Sequence, residues 1–257
     1  MKYAVDTNKL TKKFGSFTAV NELSLRIKTG CIYGLLGSNG SGKSTTIRML
    51  CGLLEPTSGT AEVLGCDIAK ADEREAMALR RQIGYMSQKF SLYKNLTAAE
   101  NIKFYAGLYG LQDDMAAEKI SFAVAAAGLA QIKDELVSKL PGGWRQHLAL
   151  GCAVMHSPRL LFLDEATSGA DPRTRRSFWQ LIQTLAGEGM TIVVVTHFME
   201  EAELCDELGF LQQGRLLVSG TPRKLKAMLP QQDQDEAASL NKVFAILVRG
   251  SQSCSSG

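Results

Sequence analysis

The chain has 257 residues, 45% hydrophobic and 21% charged, a balance that suits one large or two small globular domains and excludes a largely disordered polymer. Its net charge of +3 excludes an electrostatic case for nucleic acid or an anionic membrane surface as partner. The opening Met1-Lys2-Tyr3-Ala4-Val5-Asp6 has no signal-type apolar run and no stretch approaches the ~20 apolar residues that cross a bilayer, so the expectation is a cytoplasmic chain.

In chain order, Ser24-Leu25-Arg26-Ile27-Lys28 and Thr60-Ala61-Glu62-Val63-Leu64 alternate apolar and polar residues and predict antiparallel strands. Between them Cys31-Ile32-Tyr33-Gly34-Leu35-Leu36 reads as a buried strand, and Thr45-Thr46-Ile47-Arg48-Met49-Leu50 as a helix. Residues 72–81 are helical in pattern, and Gln82 to Gln88 reads as a strand ending on a polar residue. From about Lys89 to Pro158 long helix-favouring runs such as Ala116 to Ala127 predict a helical insertion. Leu160-Leu161-Phe162-Leu163 and Thr191-Ile192-Val193-Val194-Val195 are continuously apolar, as in strands buried on both faces of a parallel sheet, with a helix starting near Asp171-Pro172 between them. Phe210 to Val218 carries hairpin turn residues, and Thr221-Pro222 starts another helix. Residues 230–238 read as a polar linker, Val243 to Val248 as an apolar patch able to dock back, and Ser251 to Gly257 as a disordered tail. Six scattered cysteines without a C-x-x-C pair read as reduced, mostly buried small residues rather than a metal site. Arg173-Thr174-Arg175-Arg176 reads as a solvated basic helix face.

The stretch Gly37-Ser38-Asn39-Gly40-Ser41-Gly42-Lys43-Ser44-Thr45 fits G-x-x-x-x-G-K-[ST] between a strand and a helix, the order such a phosphate cradle requires. Glycines let backbone N–H groups turn toward the anion, Lys43 neutralises outer-phosphate charge, and the Ser44 hydroxyl suits Mg²⁺. Asp164 and Glu165 end the run from Leu160, at the strand edge where open α/β sheets bind ligands. Asp164 is assigned to the metal, usually held through its waters, and Glu165 to the base that polarises an attacking water. His197 closes the run Ile192 to Thr196; a lone histidine there is often structural, yet it is placed to hydrogen-bond a γ-phosphate or the water.

These motifs, in this order, resemble the ATP-binding-cassette ATPases from about Lys9 to Leu229: the phosphate loop, Gln88, a signature segment Leu140-Pro141-Gly142-Gly143-Trp144-Arg145-Gln146, Asp164-Glu165, Ser168-Gly169-Ala170-Asp171 and His197. Gly84 to Tyr93 and Thr196 to Ala202 make the likeness greatest to ATPase subunits of type 2 exporters, the group that includes drug-resistance pumps. The resemblance implies a P-loop NTPase core of α/β class with a mainly parallel sheet, an antiparallel β subdomain and a helical insertion. By it residues 1–230 form the ATPase domain, with a helical subdomain over about 89–158, followed by linker, short apolar segment and tail over 231–257. It implies ATP and Mg²⁺ as cofactors, with Gln88 completing the metal shell and linking it to the insertion. Phe14 then corresponds to the aromatic that stacks on adenine; from the residues alone it reads equally as a core residue of the first strand. Gly142 and Gly143 would face the ATP of a second cassette, placed head to tail in a homo- or heterodimer. The implied partners are that cassette and membrane-spanning permease subunits, which would hold the chain at the cytoplasmic face of the membrane; no nucleic acid is expected.

The family's usual Leu-Ser-Gly-Gly-Gln signature is altered here, with Pro141 at the serine and Trp144 at the glutamine. Proline offers neither hydroxyl nor N–H, so two donors toward a partner's γ-phosphate are missing and a weakened composite site is expected. Ala166 also replaces a proline common in the family, leaving both carboxylates in place. Two other readings stay open: a regulatory nucleotide-binding module with little turnover, motivated by Pro141, and an ATPase of translation or DNA repair.

Overall fold

The structure, a computed structural model, describes residues 2–88, 92–111, 132–229 and 239–253, with side chains of the last helix described as far as 248. The alternating N-terminal segments pair as an antiparallel sheet: β1 (Tyr3–Phe14), β2 (Phe17–Leu23) and β3 (Arg26–Lys28), then, beyond β4 (Ile32–Leu36) and α1 (Lys43–Leu50), β5 (Ser58–Val63) and β6 (Cys66–Asp67). Ile27 is buried between exposed Arg26 and Lys28, and Ala61 and Val63 flank exposed Glu62, the period-two pattern of a sheet with one wet face.

After α2 (Glu73–Arg80), β7 (Ile83–Met86), α3 (Ala98–Leu108) and α4 (Gly142–Val154) come β8 (Leu160–Asp164), α5 (Pro172–Gly187), β9 (Thr191–Thr196), α6 (Met199–Ala202), β10 (Glu207–Gln212), β11 (Arg215–Gly220), α7 (Pro222–Lys226) and α8 (Leu240–Ser253). The main sheet has the order β11-β10-β4-β9-β8-β7, parallel throughout except for the β10–β11 hairpin at one edge. Strands β4, β8 and β9 are buried at every position because both sheet faces are covered. Tyr33, Leu35, Phe162 and Val193 join the core shared with α1 and the antiparallel sheet, whereas Ile32, Leu36, Leu163 and Val194 join the core packed by α4 and α5. A third, smaller core lies in the helical region, around Ile102, Val137 and Leu148.

Local sequence sets the helix starts. Asp72 with Glu75 and Thr97 with Glu100 form capping boxes, and Asp171 and Thr221 cap helices whose first residue is proline. Strand β7 stops at Met86, so Gln88 lies in the loop beyond rather than on the strand. The apolar patch at Val243 docks as expected: Leu240 and Val243 are buried, and Phe244 stacks on Phe210 at 5.4 Å between ring centroids. The tail expected from Ser251 is corrected in part, because a helix anchored by those side chains propagates to Ser253. The helix expected over Ala116 to Ala127, the linker at 230–238 and residues 254–257 lie outside the described residues. Cys51, Cys152 and Cys205 are buried free thiols, and Cys31 and Cys66 are half-buried.

Candidate functional site

Sheet register brings the motif residues together. Leu36 pairs with Thr196, Val195 with Asp164, and Leu163 with Met86, so β4, β9, β8 and β7 all end at one edge. The phosphate loop, His197, Glu165 and Gln88 leave the sheet at that edge, from strands scattered over 160 residues of sequence as roughly counted from Leu36 to Thr196.

The loop keeps its shape because two glycines have no room for a side chain. A Cβ on Gly37 would lie 2.2 Å from the Leu211 carbonyl oxygen, and one on Gly42, at φ 101°, 2.4 Å from that of Ala19. Ser38, Asn39 and Gly40 are exposed, whereas Ser41 is buried and its hydroxyl has no hydrogen-bond partner among the described residues. Helix α1 begins at Gly42 without a side-chain cap, which leaves its first N–H groups for an anion, with Ser44 and Thr45 in that first turn. Lys43 is buried and curls back, Nζ donating to the Gly37 and Ser38 carbonyls at 2.8 and 2.9 Å. Burial holds its pKa below the ordinary lysine value, against the pull of Glu165 and Asp164.

Facing the loop, Ser44 Oγ donates to Asp164 Oδ1 at 3.1 Å. Burial pushes the Asp164 carboxyl above its ordinary range; the Ser44 hydrogen bond opposes this and Glu165 adds to it. Gln88 Nε2 donates to Glu165 Oε2 at 2.9 Å, and His197 Nδ1 lies 3.8 Å from Glu165 Oε1. Glu165 itself has φ 50°, a left-handed conformation costly for a side-chain-bearing residue, and its N–H is held by the Val195 carbonyl at 3.0 Å. Ser44, Gln88, Asp164, Glu165 and His197 therefore form one constellation beside the phosphate loop.

Among the described residues there is no group of three or more His, Cys, Asp or Glu able to cage a metal. One hydroxyl, one buried carboxylate and one amide beside a phosphate cradle instead fit Mg²⁺, which takes few protein ligands and fills its shell with phosphate oxygens and water.

Phe14 and the signature glycines belong to other parts of the fold. Phe14 is 50% exposed at the β1–β2 turn, with the Lys12 ammonium 5.4 Å from its ring centroid. The core reading of Phe14 is thereby corrected, since Lys13 and Phe14, the last two residues of β1, both lie exposed beside the turn. Gly142 and Gly143 open α4 after Pro141, which supplies no side-chain cap. Gly142 is exposed, a Cβ there meeting only Arg145 Nη2 at 4.0 Å, and a Cβ on Gly143 would lie 2.6 Å from Thr174 Oγ1. Helix α4 is tied to the turn beyond Glu165, as Gln146 Nε2 donates to the Ser168 carbonyl at 3.3 Å. The solvated reading of the basic face holds for the exposed Arg173 and Arg176 and is corrected at Arg175, whose side chain is only 22% exposed and faces the buried Glu201. The missed residues Arg175 and Glu201 carry no motif, and the only signal in the sequence was their position on short segments flanking His197 and Asp171.

Residues 20–168, more than half the chain, match the family model described as ABC transporter. The chain belongs to the ABC transporter family, and its fold is that of an ATP-binding cassette. It is 49% identical over 232 residues to the "Probable multidrug ABC transporter ATP-binding protein YbhF" of Escherichia coli (strain K12), covering 90% of this chain and 39% of that relative. The chain thus spans about two fifths of that relative's length. It is 37% identical to the daunorubicin/doxorubicin resistance ATP-binding protein DrrA of Streptomyces peucetius, over 88% of this chain and 68% of the relative. A solved dimeric structure of an ATP-binding cassette in a post-hydrolysis state, bound to ADP and Pi, superposes with a TM-score of 0.77 at 27% identity, over 84% of this chain and 98% of the other. No helix among the described residues is long and apolar enough to cross a membrane.

Proposed function

We propose that this chain is the ATP-binding and hydrolysing subunit of an ABC-type membrane exporter, coupling ATP-driven dimerisation to transport by membrane-spanning partners. The observation that carries the reading is the meeting of Ser44, Asp164, Glu165, Gln88 and His197 at the edge where the phosphate loop begins. The exporter role is supported by relatives named for multidrug transport and drug resistance.

In this reading the triphosphate lies on the N–H groups of residues 37–45, and Lys43 exchanges the Gly37 and Ser38 carbonyls for phosphate oxygens. Ser44, Asp164 and Gln88 are the residues that would hold Mg²⁺, which when bound spreads the negative charge of the transferring phosphoryl group. Glu165 orients and polarises the attacking water, His197 holds the γ-phosphate or that water, and Gln88 reports the state of Glu165 to the helical region. Phe14, exposed beside a lysine, stacks on the adenine. Gly142 and Gly143, at a helix start, meet the nucleotide of a second cassette. Membrane-spanning partners engage the helical region and hold the chain at the cytoplasmic face.

A second reading, a regulatory module that binds nucleotide with little turnover, is favoured by one observation, the uncapped helix start at Pro141. Single-turnover hydrolysis by the purified chain decides between them: release of phosphate that depends on Glu165 supports the ATPase, and binding without release supports the module. Co-purification with a multispanning membrane protein tests the exporter role, and recovery with ribosomes or DNA alone contradicts it.

A further inference from the structure

A circuit of contacts leaves the turn after Glu165 and returns to Glu165 by another route. Thr167, buried two residues beyond the acid, donates its hydroxyl to Glu201 Oε1. Glu201, on α6, is 1% exposed. Among the described residues the cation that answers its carboxylate is Arg175 of α5, whose Nε lies 3.5 Å from Oε1. The same guanidinium lies 4.2 Å from the ring centroid of Phe198. That ring sits 4.2 Å from the imidazole of His197, tilted by 37°, and His197 Nδ1 faces Glu165 Oε1 at 3.8 Å.

A carboxylate this deep needs a counter-charge, and Arg175 answers it across 3.5 Å as an ion pair without a hydrogen bond, since Arg175 Nε and Glu201 Oε2 have no hydrogen-bond partner among the described residues. An arginine then does what a lysine cannot, offering an edge to the acid and a flat face to an aromatic ring. An ion pair serving only to join α5 to α6 has no need of Phe198. Here the platform beneath Phe198 also sets its backbone neighbour, since Phe198 and His197 are consecutive and the Phe198 N–H is anchored to Thr196 Oγ1 at 3.0 Å.

We propose that Arg175 and Glu201 are positioning residues for hydrolysis, fixing Phe198 and, through it, the separation of the His197 imidazole from Glu165. The kinetic part rests on the ATPase reading above; the positional part does not.

The test uses the purified chain and the near-isosteric variants Arg175→Lys and Glu201→Gln. The chain has three histidines, so the His197 Cε1–H resonance is assigned by its loss in His197→Ala. Arg175→Lys is expected to shift that resonance as the Phe198 ring current moves, while His156, stacked on Tyr109 at 3.9 Å, keeps its own. In single turnover, Arg175→Lys and Glu201→Gln are expected to slow hydrolysis by about tenfold, a loss of ~1.4 kcal/mol, with the nucleotide Kd within about twofold of the wild type. Added to His197→Ala, Arg175→Lys is expected to cost nothing further. An unmoved His197 resonance overturns the positional claim, and an equal loss of rate with and without His197 overturns the kinetic one. A wild-type chain that binds ATP without turnover overturns the ATPase reading instead, and shows it in the unmutated control.

Discussion

Ser44 and Asp164, 120 positions apart in sequence, meet through a 3.1 Å hydrogen bond from the Ser44 hydroxyl to a buried carboxylate. The phosphate loop and the end of β8 are thereby joined directly, and the site is set up at a cost. Among the described residues no cation forms an ion pair with the buried Asp164, and its carboxyl is pushed above the ordinary value of 3.8, burial being the largest cause and Lys43 and Arg48 opposing it.

Asp164→Asn should therefore stabilise the nucleotide-free chain while removing the metal-side oxygen. An acid whose folded pKa is raised binds more protons folded than unfolded, so wild-type stability falls as pH climbs from 3.8 through the folded pKa. The variant lacks this loss. The expected outcome is equal stability near pH 3 and a variant with the higher stability and Tm at neutral pH. Thermal unfolding of both proteins across that range checks it.

Lys43→Ala should weaken nucleotide binding by roughly 10²–10⁴-fold, since two charge-assisted bonds to phosphate, at about 1.5–3 kcal/mol each, are lost. The nucleotide-free variant should not lose stability in proportion, because burial already holds the Lys43 pKa below its ordinary value. Calorimetric titration with an ATP analogue beside thermal unfolding separates the two effects.

Pro141→Ser supplies the missing hydroxyl at the start of α4 and should add about 0.5–2 kcal/mol of helix-cap stabilisation. With a partner cassette present it should also raise turnover, by about tenfold if one charge-assisted bond to the γ-phosphate is restored. A more stable protein with unchanged turnover would show that the absent donors do not limit the reaction.

Much of this was legible in the sequence because it depends on local pattern. The continuous apolar runs Leu160 to Leu163 and Ile192 to Val195 can only be buried on both faces, and a parallel sheet necessarily gathers their carboxyl ends. Asp164, Glu165 and His197 could thus be placed at one edge without coordinates. Two matters were not legible. Phe14 is a large apolar residue at the end of a strand-like run and could face either way, and the position of the β1–β2 turn exposes it. Arg175 lies in a basic run whose neighbours Arg173 and Arg176 face solvent, so its pairing with Glu201 depends on how α5 and α6 pack, which no local period encodes.

The central claim is that Glu165, held by Gln88 at 2.9 Å and faced by His197, activates the water that attacks ATP. Single-turnover hydrolysis by the purified chain and by Glu165→Gln, with Mg²⁺ and saturating ATP, tests it most directly. Nucleotide binding is expected to persist while the rate falls by a factor of about 10²–10⁴, the range for loss of a positioned general base. A Glu165→Gln rate within about twofold of the wild type, at equal occupancy, would contradict it.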